Sequence, residues 1–366
     1  MKVQGKHYRS IWADPARGQV RIIDQTWLPH NFELRTLHSA DDVAEAIRTM
    51  RVRGAPLIGV TAAFGLALEV SENSSDGALE NTIVLLRATR PTAVNLAWAL
   101  ERMRASLMPL PFQTRSAAAW EEAQRIADED VAMNEAIGRH GLALLQTHYA
   151  RVKRPINILT HCNAGWIGTV DWGTALAPIY RAHDAGVPVH VWVSETRPRN
   201  QGLLTAWELR EYGVPHTLIT DNAGGHYMQR GQVDMVIVGA DRVTRHGDVC
   251  NKIGTYLKAL AAKDNKVPFY AAVPSPTIDW EIDHAIDEIP IEERSGDEVR
   301  VISGVDDKGH GARIAIAPAE EKIGNPGFDV TPSELVSGII TERGIAPANE
   351  DGLLAFFPEH RPANAA

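Results

Sequence analysis

The spacing of apolar positions divides the chain into two textures. In the first, short alternating runs come before helical ones. Gln19-Val20-Arg21-Ile22-Ile23-Asp24 and Phe32-Glu33-Leu34-Arg35-Thr36-Leu37 set apolar residues on one side, as half-buried strands do. The period then lengthens. Ser39 is placed to cap a helix whose Val43, Ile47 and Met50 share a face, and Asp41 and Asp42 fall in its first turn, where the helix dipole favours negative charge. Ala62 to Val70 and Ala93 to Met108 read as further helices. The polar, alanine-rich stretch from Arg115 to Tyr149 reads as another, with Gly138 and Gly141 as candidate breaks, and Lys153-Arg154-Pro155 ends it. This sets a domain boundary near residue 150: an N-terminal helical domain with a small β-sheet over 1–150, and a second domain over 151–366.

After Pro155 the order becomes strand, polar turn, helix, repeated. Ile156 to Leu159, Val187 to Val193, His216 to Ile219, Val233 to Val238 and Val267 to Val273 are short, rich in branched residues and separated by helix-length segments. That pattern predicts an α/β fold with a parallel sheet covered by helices on both faces. The strand ends carry Thr160-His161-Cys162-Asn163, Ser194-Glu195-Thr196-Arg197, Thr220-Asp221-Asn222, Gly239-Ala240-Asp241-Arg242 and Pro274-Ser275-Pro276-Thr277. Open α/β sheets bind ligands at this carboxyl edge, so the five tips are expected around one crevice. No repeat or low-complexity tract competes with this reading, and the tail Arg361 to Ala366 is expected to fray.

Composition narrows the function. The 366 residues are 44% hydrophobic and 23% charged, ordinary for a globular protein long enough for two domains. A net charge of −9 argues against a nucleic-acid partner, which needs clustered cations. Two cysteines, Cys162 and Cys250, cannot form a disulfide framework and suit a reducing compartment, with the cytoplasm as the default. The first nine residues have no apolar run after their positive charges, and no stretch reads as long enough to span a membrane, so neither export nor a membrane is signalled.

The candidate chemistry sits at the strand tips. Cys162 precedes a helix expected to begin beyond Gly165, where backbone N–H groups stabilise a thiolate; a lone cysteine equally suits a small buried hydrophobe. Asp241 follows an apolar strand, so partial dehydration would raise its pKa and favour general-acid work; a helix cap or a salt bridge to Arg242 is the alternative. Asn163-Ala164-Gly165-Trp166-Ile167-Gly168-Thr169 partly imitates a dinucleotide turn but lacks its first glycine. A phosphate cradle is the more economical reading, with Arg53 and Lys252 as charge partners. Arg53-Gly54-Ala55-Pro56 suits that role and also suits a structural loop. The histidines lack metal-ligand spacing, and no metal is expected.

Six motifs in order carry a resemblance. Arg53-Gly54-Ala55-Pro56 with Ile58-Gly59, His161-Cys162-Asn163-Ala164-Gly165, Glu195-Thr196-Arg197-Pro198 with Asn200-Gln201-Gly202, Gly239-Ala240-Asp241-Arg242, Asn251-Lys252-Ile253-Gly254-Thr255-Tyr256 and Ile291-Glu292-Glu293-Arg294 resemble the methylthioribose-1-phosphate isomerase family over nearly the whole chain. The resemblance implies Cys162 and Asp241 as the catalytic pair, with Arg53, Gly54, Ala55, Arg90, Gln201, Asn251 and Lys252 around a sugar phosphate. It also implies a Rossmann-like C-terminal domain, a smaller N-terminal domain, a homodimer, no cofactor, and a place in methionine salvage. Cys250 departs from the pattern, where a small residue such as Ala is expected. Three rivals share parts of it: the regulatory alpha, beta and delta subunits of the guanine-nucleotide exchange factor for translation initiation, ribose-1,5-bisphosphate isomerase, and a nicotinamide-dependent dehydrogenase. Among isomerases, 5-deoxyribose 1-phosphate fits as a substrate as well as the methylthio sugar.

Overall fold

A computed structural model describes residues 1–90 and 93–361, so the fraying expected of the tail falls, beyond Arg361, outside the described residues. The N-terminal alternation builds an antiparallel sheet of Ile11–Asp14, Gln19–Ile23 and Leu34–Leu37. Ile11 faces Ile22, and Val20 faces Leu37, and all four are buried on one side, as a period of two requires. The strand Ile11–Asp14 had no counterpart in the sequence reading. Ser39 caps the next helix, Ala40–Arg48, by accepting the Asp42 N–H at 3.1 Å. Met50, expected on its face, lies past the helix end with a left-handed φ of 61°.

The helix expected over Ala62 to Val70 starts earlier, at Ala55, and runs to Glu72. Its 18 residues are long and apolar enough to cross a membrane, which corrects the expectation that no such stretch exists. Within the fold 78% of it is buried, because the helices Ala40–Arg48, Asp76–Arg87, Val94–Leu107 and Phe112–Val152 all pack on it. A helix apolar all round has no solvent face to mark. Asp76–Arg87, capped by Ser75, escaped the periodicity.

The last helix of this half spans 41 residues, Phe112–Val152, and is not broken at Gly138 or Gly141. Those glycines serve close approach instead. A Cβ on Gly138 would sit 3.1 Å from Arg181 Cγ, and one on Gly141 would overlap the Pro178 ring, so the helix Ala177–Asp184 lies directly against their bare backbone. One half of this rod packs on Ala55–Glu72 and the other on Ala177–Asp184.

The five expected runs are strands of a seven-stranded sheet in the order Gly344–Ala346, Gly338–Thr341, Phe269–Ala272, Met235–Val238, Ile156–Thr160, Val189–Ser194, His216–Ile219. All pairs are parallel except the edge hairpin Gly338–Thr341 with Gly344–Ala346, which the sequence reading did not include. Chain order reverses between Ile156–Thr160 and Met235–Val238, and Cys162 and Asp241 follow these two neighbouring strands. That is the switch point at which such sheets open a crevice. A second sheet of Arg242–Thr244, Val249–Lys252, Ile278–Asp279 and Phe328–Thr331 folds back beside it.

In an open helix Gly→Ala stabilises by about 1 kcal/mol. Gly77, in the helix Asp76–Arg87, has nothing within 4 Å of a built Cβ, and Gly77→Ala should raise the melting temperature slightly. At Gly141 the overlap with Pro178 reverses the sign: Gly141→Ala should cost about 1–3 kcal/mol. Thermal melts of both variants check this, and a stabilised Gly141→Ala would refute the packing argument.

Candidate active site

All nine residues singled out from the sequence, Cys162, Asp241, Arg53, Gly54, Ala55, Arg90, Gln201, Asn251 and Lys252, line one cavity of about 80 Å³ at the switch point. A wider cleft of about 590 Å³ adjoins it and shares Met50, Arg53 and Gln201 with it. Three of the five strand tips reach the cavity, through His161-Cys162-Asn163, Gly239-Ala240-Asp241 and Pro274. The other two stand behind: Thr196 accepts the Cys162 N–H at 2.8 Å, and Asp221 accepts the Thr196 N–H at 2.9 Å.

No regular helix begins beyond Gly165, contrary to expectation. A three-residue 3₁₀ turn, Trp166–Gly168, is followed by irregular chain up to Ala177. Neither a dinucleotide turn nor a helix start beside the thiol is therefore built there. Glu208, 1% exposed, organises this loop by accepting from Asn163 Nδ2 at 2.9 Å, the Trp166 N–H at 2.9 Å, the Ile167 N–H at 3.3 Å and the Tyr180 hydroxyl at 2.7 Å. The helix start that does face the cavity is that of Ala55–Glu72, through Ala55, Pro56 and Ile58. Gly54 precedes it with φ 98°, and a Cβ there would overlap the Gly168 backbone, so no other residue fits. The helix start at the cavity, where N–H groups and the dipole favour an anion, is thus this one and not one beyond Gly165.

Three cations surround the acid and the thiol. Arg53 donates to the Asn163 carbonyl at 3.2 Å and to its side-chain oxygen. Arg90 pairs with Glu292 at 3.5 Å, which explains why the Ile291-Glu292-Glu293-Arg294 motif belongs with the site. Lys252 donates to the Gly327 carbonyl at 2.7 Å and lies 4.5 Å above the Phe328 ring. Asn251 donates to Thr255 Oγ1 at 3.0 Å. Arg53 Nε, Arg90 Nε and Gln201 Oε1 are buried and make no hydrogen bond within the protein, a costly arrangement that a polar ligand would relieve.

Burial pushes the Asp241 carboxyl above its ordinary range, against the pull of Lys252, Arg90 and Arg53. Of the alternatives raised for it, the helix cap does not hold, because the residues after Asp241 form a strand; Arg242 pairs with Asp279 at 3.0 Å. Burial also raises the Cys162 thiol, opposed by Arg53 and Lys252. Cys250 sits mid-strand, buried, with its thiol pushed up to about 12 by desolvation, and its carbonyl accepts the Asp241 N–H at 2.9 Å. Among the described residues no group of three His, Cys, Asp or Glu side chains could hold a metal ion. The sequence reading missed Met50, Thr174 and Phe328 in the wall, which carry no local signal of a site.

Fold and site together define a class: a sheet-edge pocket for a small anionic ligand, holding a thiol and a raised carboxyl. The sequence profile of the Initiation factor 2 subunit family matches residues 51–348. A methylthioribose-1-phosphate isomerase of Acidiphilium cryptum is 61% identical over 368 residues, covering 100% of both chains. The crystal structure of 5-methylthioribose 1-phosphate isomerase from Pyrococcus horikoshii OT3 superimposes with a TM-score of 0.82 at 40% identity, covering 97% of each chain. That of the translation initiation factor eIF-2B subunit delta from A. fulgidus does so with a TM-score of 0.78 at 38% identity, covering 96% of this chain and 100% of that one. The chain belongs to the methylthioribose-1-phosphate isomerases of the Initiation factor 2 subunit family.

The raised Asp241 carboxyl has a consequence for stability. Its protonated form is the one the fold favours, so its contribution is fully present below the unfolded pKa and is lost as pH rises through the folded one. Asp241→Asn should therefore melt no lower than the parent at neutral pH and match it more closely as pH falls. A melting temperature several degrees below the parent's would instead reveal a structural ion pair.

Proposed function

We propose that this protein is an aldose–ketose isomerase that converts 5-methylthioribose 1-phosphate to 5-methylthioribulose 1-phosphate, a step of methionine salvage, with Cys162 and Asp241 as its catalytic pair. The observation that carries the reading is the meeting of Cys162 and Asp241 with Arg53, Arg90 and Lys252 in one cavity. The cations and the start of the helix Ala55–Glu72 suit a phosphate. Met50, Pro56, Ile58, Pro274 and Phe328 give the rest of the wall an apolar character, which favours methylthio over the second phosphate of ribose 1,5-bisphosphate.

In a sugar whose C1 oxygen carries phosphate, spontaneous ring opening is blocked. Protonated Asp241 delivers a proton to the departing ring oxygen and recovers one from the C2 hydroxyl. Cys162 moves the C2 hydrogen, which ends on C1. C2 is oxidised by two electrons as C1 is reduced by two, so the reaction needs no external redox partner. The phosphate itself readies the acid. Arg53, Arg90 and Lys252 hold the Asp241 pKa down, and a bound dianion offsets their charge, leaving burial to keep the carboxyl protonated.

A homodimer, a cytoplasmic setting and a division into domains near residue 150 complete the reading. Tyr256, Leu257 and Leu260, exposed on the helix Thr255–Asp264, give the second copy an apolar surface, and two free cysteines suit a reducing compartment.

Turnover of ribose 1-phosphates bearing methylthio, hydrogen or phosphate at C5 tests the substrate. The methylthio sugar should give the highest kcat/KM, and turnover of none would leave the assembly-module reading. Asp241→Asn should bind substrate yet lose about 10²–10⁴-fold in kcat. Cys162→Ser should lose a similar factor while Cys250→Ser stays largely active. Equal damage at both cysteines, or near-parent turnover in Asp241→Asn, would overturn the assignment.

A further inference from the structure

We infer that Thr196 and Thr205 are positioning residues that clamp the Cys162 peptide from both sides and thereby aim its thiol; the catalytic part of this inference rests on the isomerase reading above. Cys162 lies at the strand tip with a left-handed φ of 65°, and Thr196, against it, has φ 67°. Such values are uncommon outside glycine, and for a β-branched threonine they mark a backbone held by its surroundings. Asp221 supplies that hold. Its carboxylate accepts the N–H groups of Thr196 at 2.9 Å and Arg197 at 2.8 Å and the Ser194 hydroxyl at 2.6 Å.

The hydrogen-bond directions around Thr196 are fixed. Its hydroxyl donates to the Ser194 carbonyl at 2.9 Å, so its lone pair receives the Cys162 N–H at 2.8 Å. His161 does not compete for that lone pair. Burial pushes its pKa down to about 3, so the ring is neutral, and its single proton is on Nε2, which donates to the Ile253 carbonyl at 2.8 Å. Nδ1, 3.4 Å from the threonine oxygen, carries no proton. On the other side, the Thr205 hydroxyl, on the helix Gly202–Tyr212, donates to the Cys162 carbonyl at 2.8 Å.

Both backbone polar groups of Cys162 are thus held by side chains that follow a different strand, and no helix or strand fixes its φ. Removal of either hydroxyl frees the peptide to relax toward negative φ, which swings Cβ and the thiol away from their aim. Arg90 and Lys252 sit on other elements and keep their places, and Asn163, which receives Arg53 and donates to Thr205 at 3.1 Å, is still held by Glu208 at 2.9 Å. The effect should fall on kcat and spare KM.

Thr196→Val and Thr205→Val remove the hydroxyls at nearly constant shape, and Thr196→Ser and Thr205→Ser restore them. Each valine variant should lose about 10- to 100-fold in kcat with KM within about threefold, since small displacements of reacting groups cost that much. Alkylation of the Cys162 peptide by iodoacetamide, followed by mass across a pH series, should change in rate by about threefold or more in the valine variants and return to the parent profile in the serine variants. Parent-like kcat and alkylation in the valine variants, or equal losses in the serine variants, would overturn the proposal. So would a lower melting temperature with an unchanged alkylation profile. If Thr196→Val does not fold, Thr196→Ala and Thr205→Val carry the same readouts, and failure of all three to fold would show the hydroxyls to be folding elements, against the proposal. Alkylation needs no substrate, so an inactive parent enzyme would sink the isomerase reading while leaving the clamp open to test.

Discussion

The site depends on one buried carboxylate. Glu208 is almost fully enclosed, and a charge in that position is tolerable only when its lone pairs are met. Burial raises its pKa, and the donors from Asn163, Trp166, Ile167 and Tyr180 oppose that rise. In meeting them it ties the loop after Cys162 to two helices. Asn163, so held, receives Arg53; the loop then carries the Gly168 backbone against Gly54, where the helix Ala55–Glu72 begins. A cation, a helix terminus and the thiol-bearing tip are aligned through a single side chain, far from all of them in sequence.

Electrostatics at the cavity is a balance that a ligand can tip. Desolvation favours the neutral forms of Asp241 and Cys162, while the nearby cations favour the ionised ones. Without an anion the two effects oppose each other. On the proposed reading a bound phosphate would offset the cations, so that desolvation dominates and both groups hold their protons more fully. The cations proposed to bind substrate are the same ones that hold the Asp241 pKa down, so on that reading substituting any one of them would alter both affinity and protonation.

The parallel sheet, its five recognisable strands and the tips bearing Cys162 and Asp241 were legible in the chain, because strand runs and the polar residues that end them are local patterns. The family resemblance carried by its motifs also pointed to nine of the residues that line the cavity. The sequence did not determine the continuity of Phe112–Val152: Gly138 and Gly141 read as breaks, and only contact with Pro178 and Arg181 explains them as sites of close approach. Nor did it give the second sheet, in which Phe328–Thr331, a strand much later in the chain, pairs with Val249–Lys252, the strand that carries Asn251 and Lys252. Nor did it show that the segment after Gly165 is a turn whose Trp166 and Ile167 N–H groups are met by Glu208, a residue some forty positions on. Which strand tips line the crevice and which stand behind likewise depends on tertiary contacts, since the direction of a side chain at a strand end depends on partners from other elements, as with Thr196 and Thr205 around Cys162.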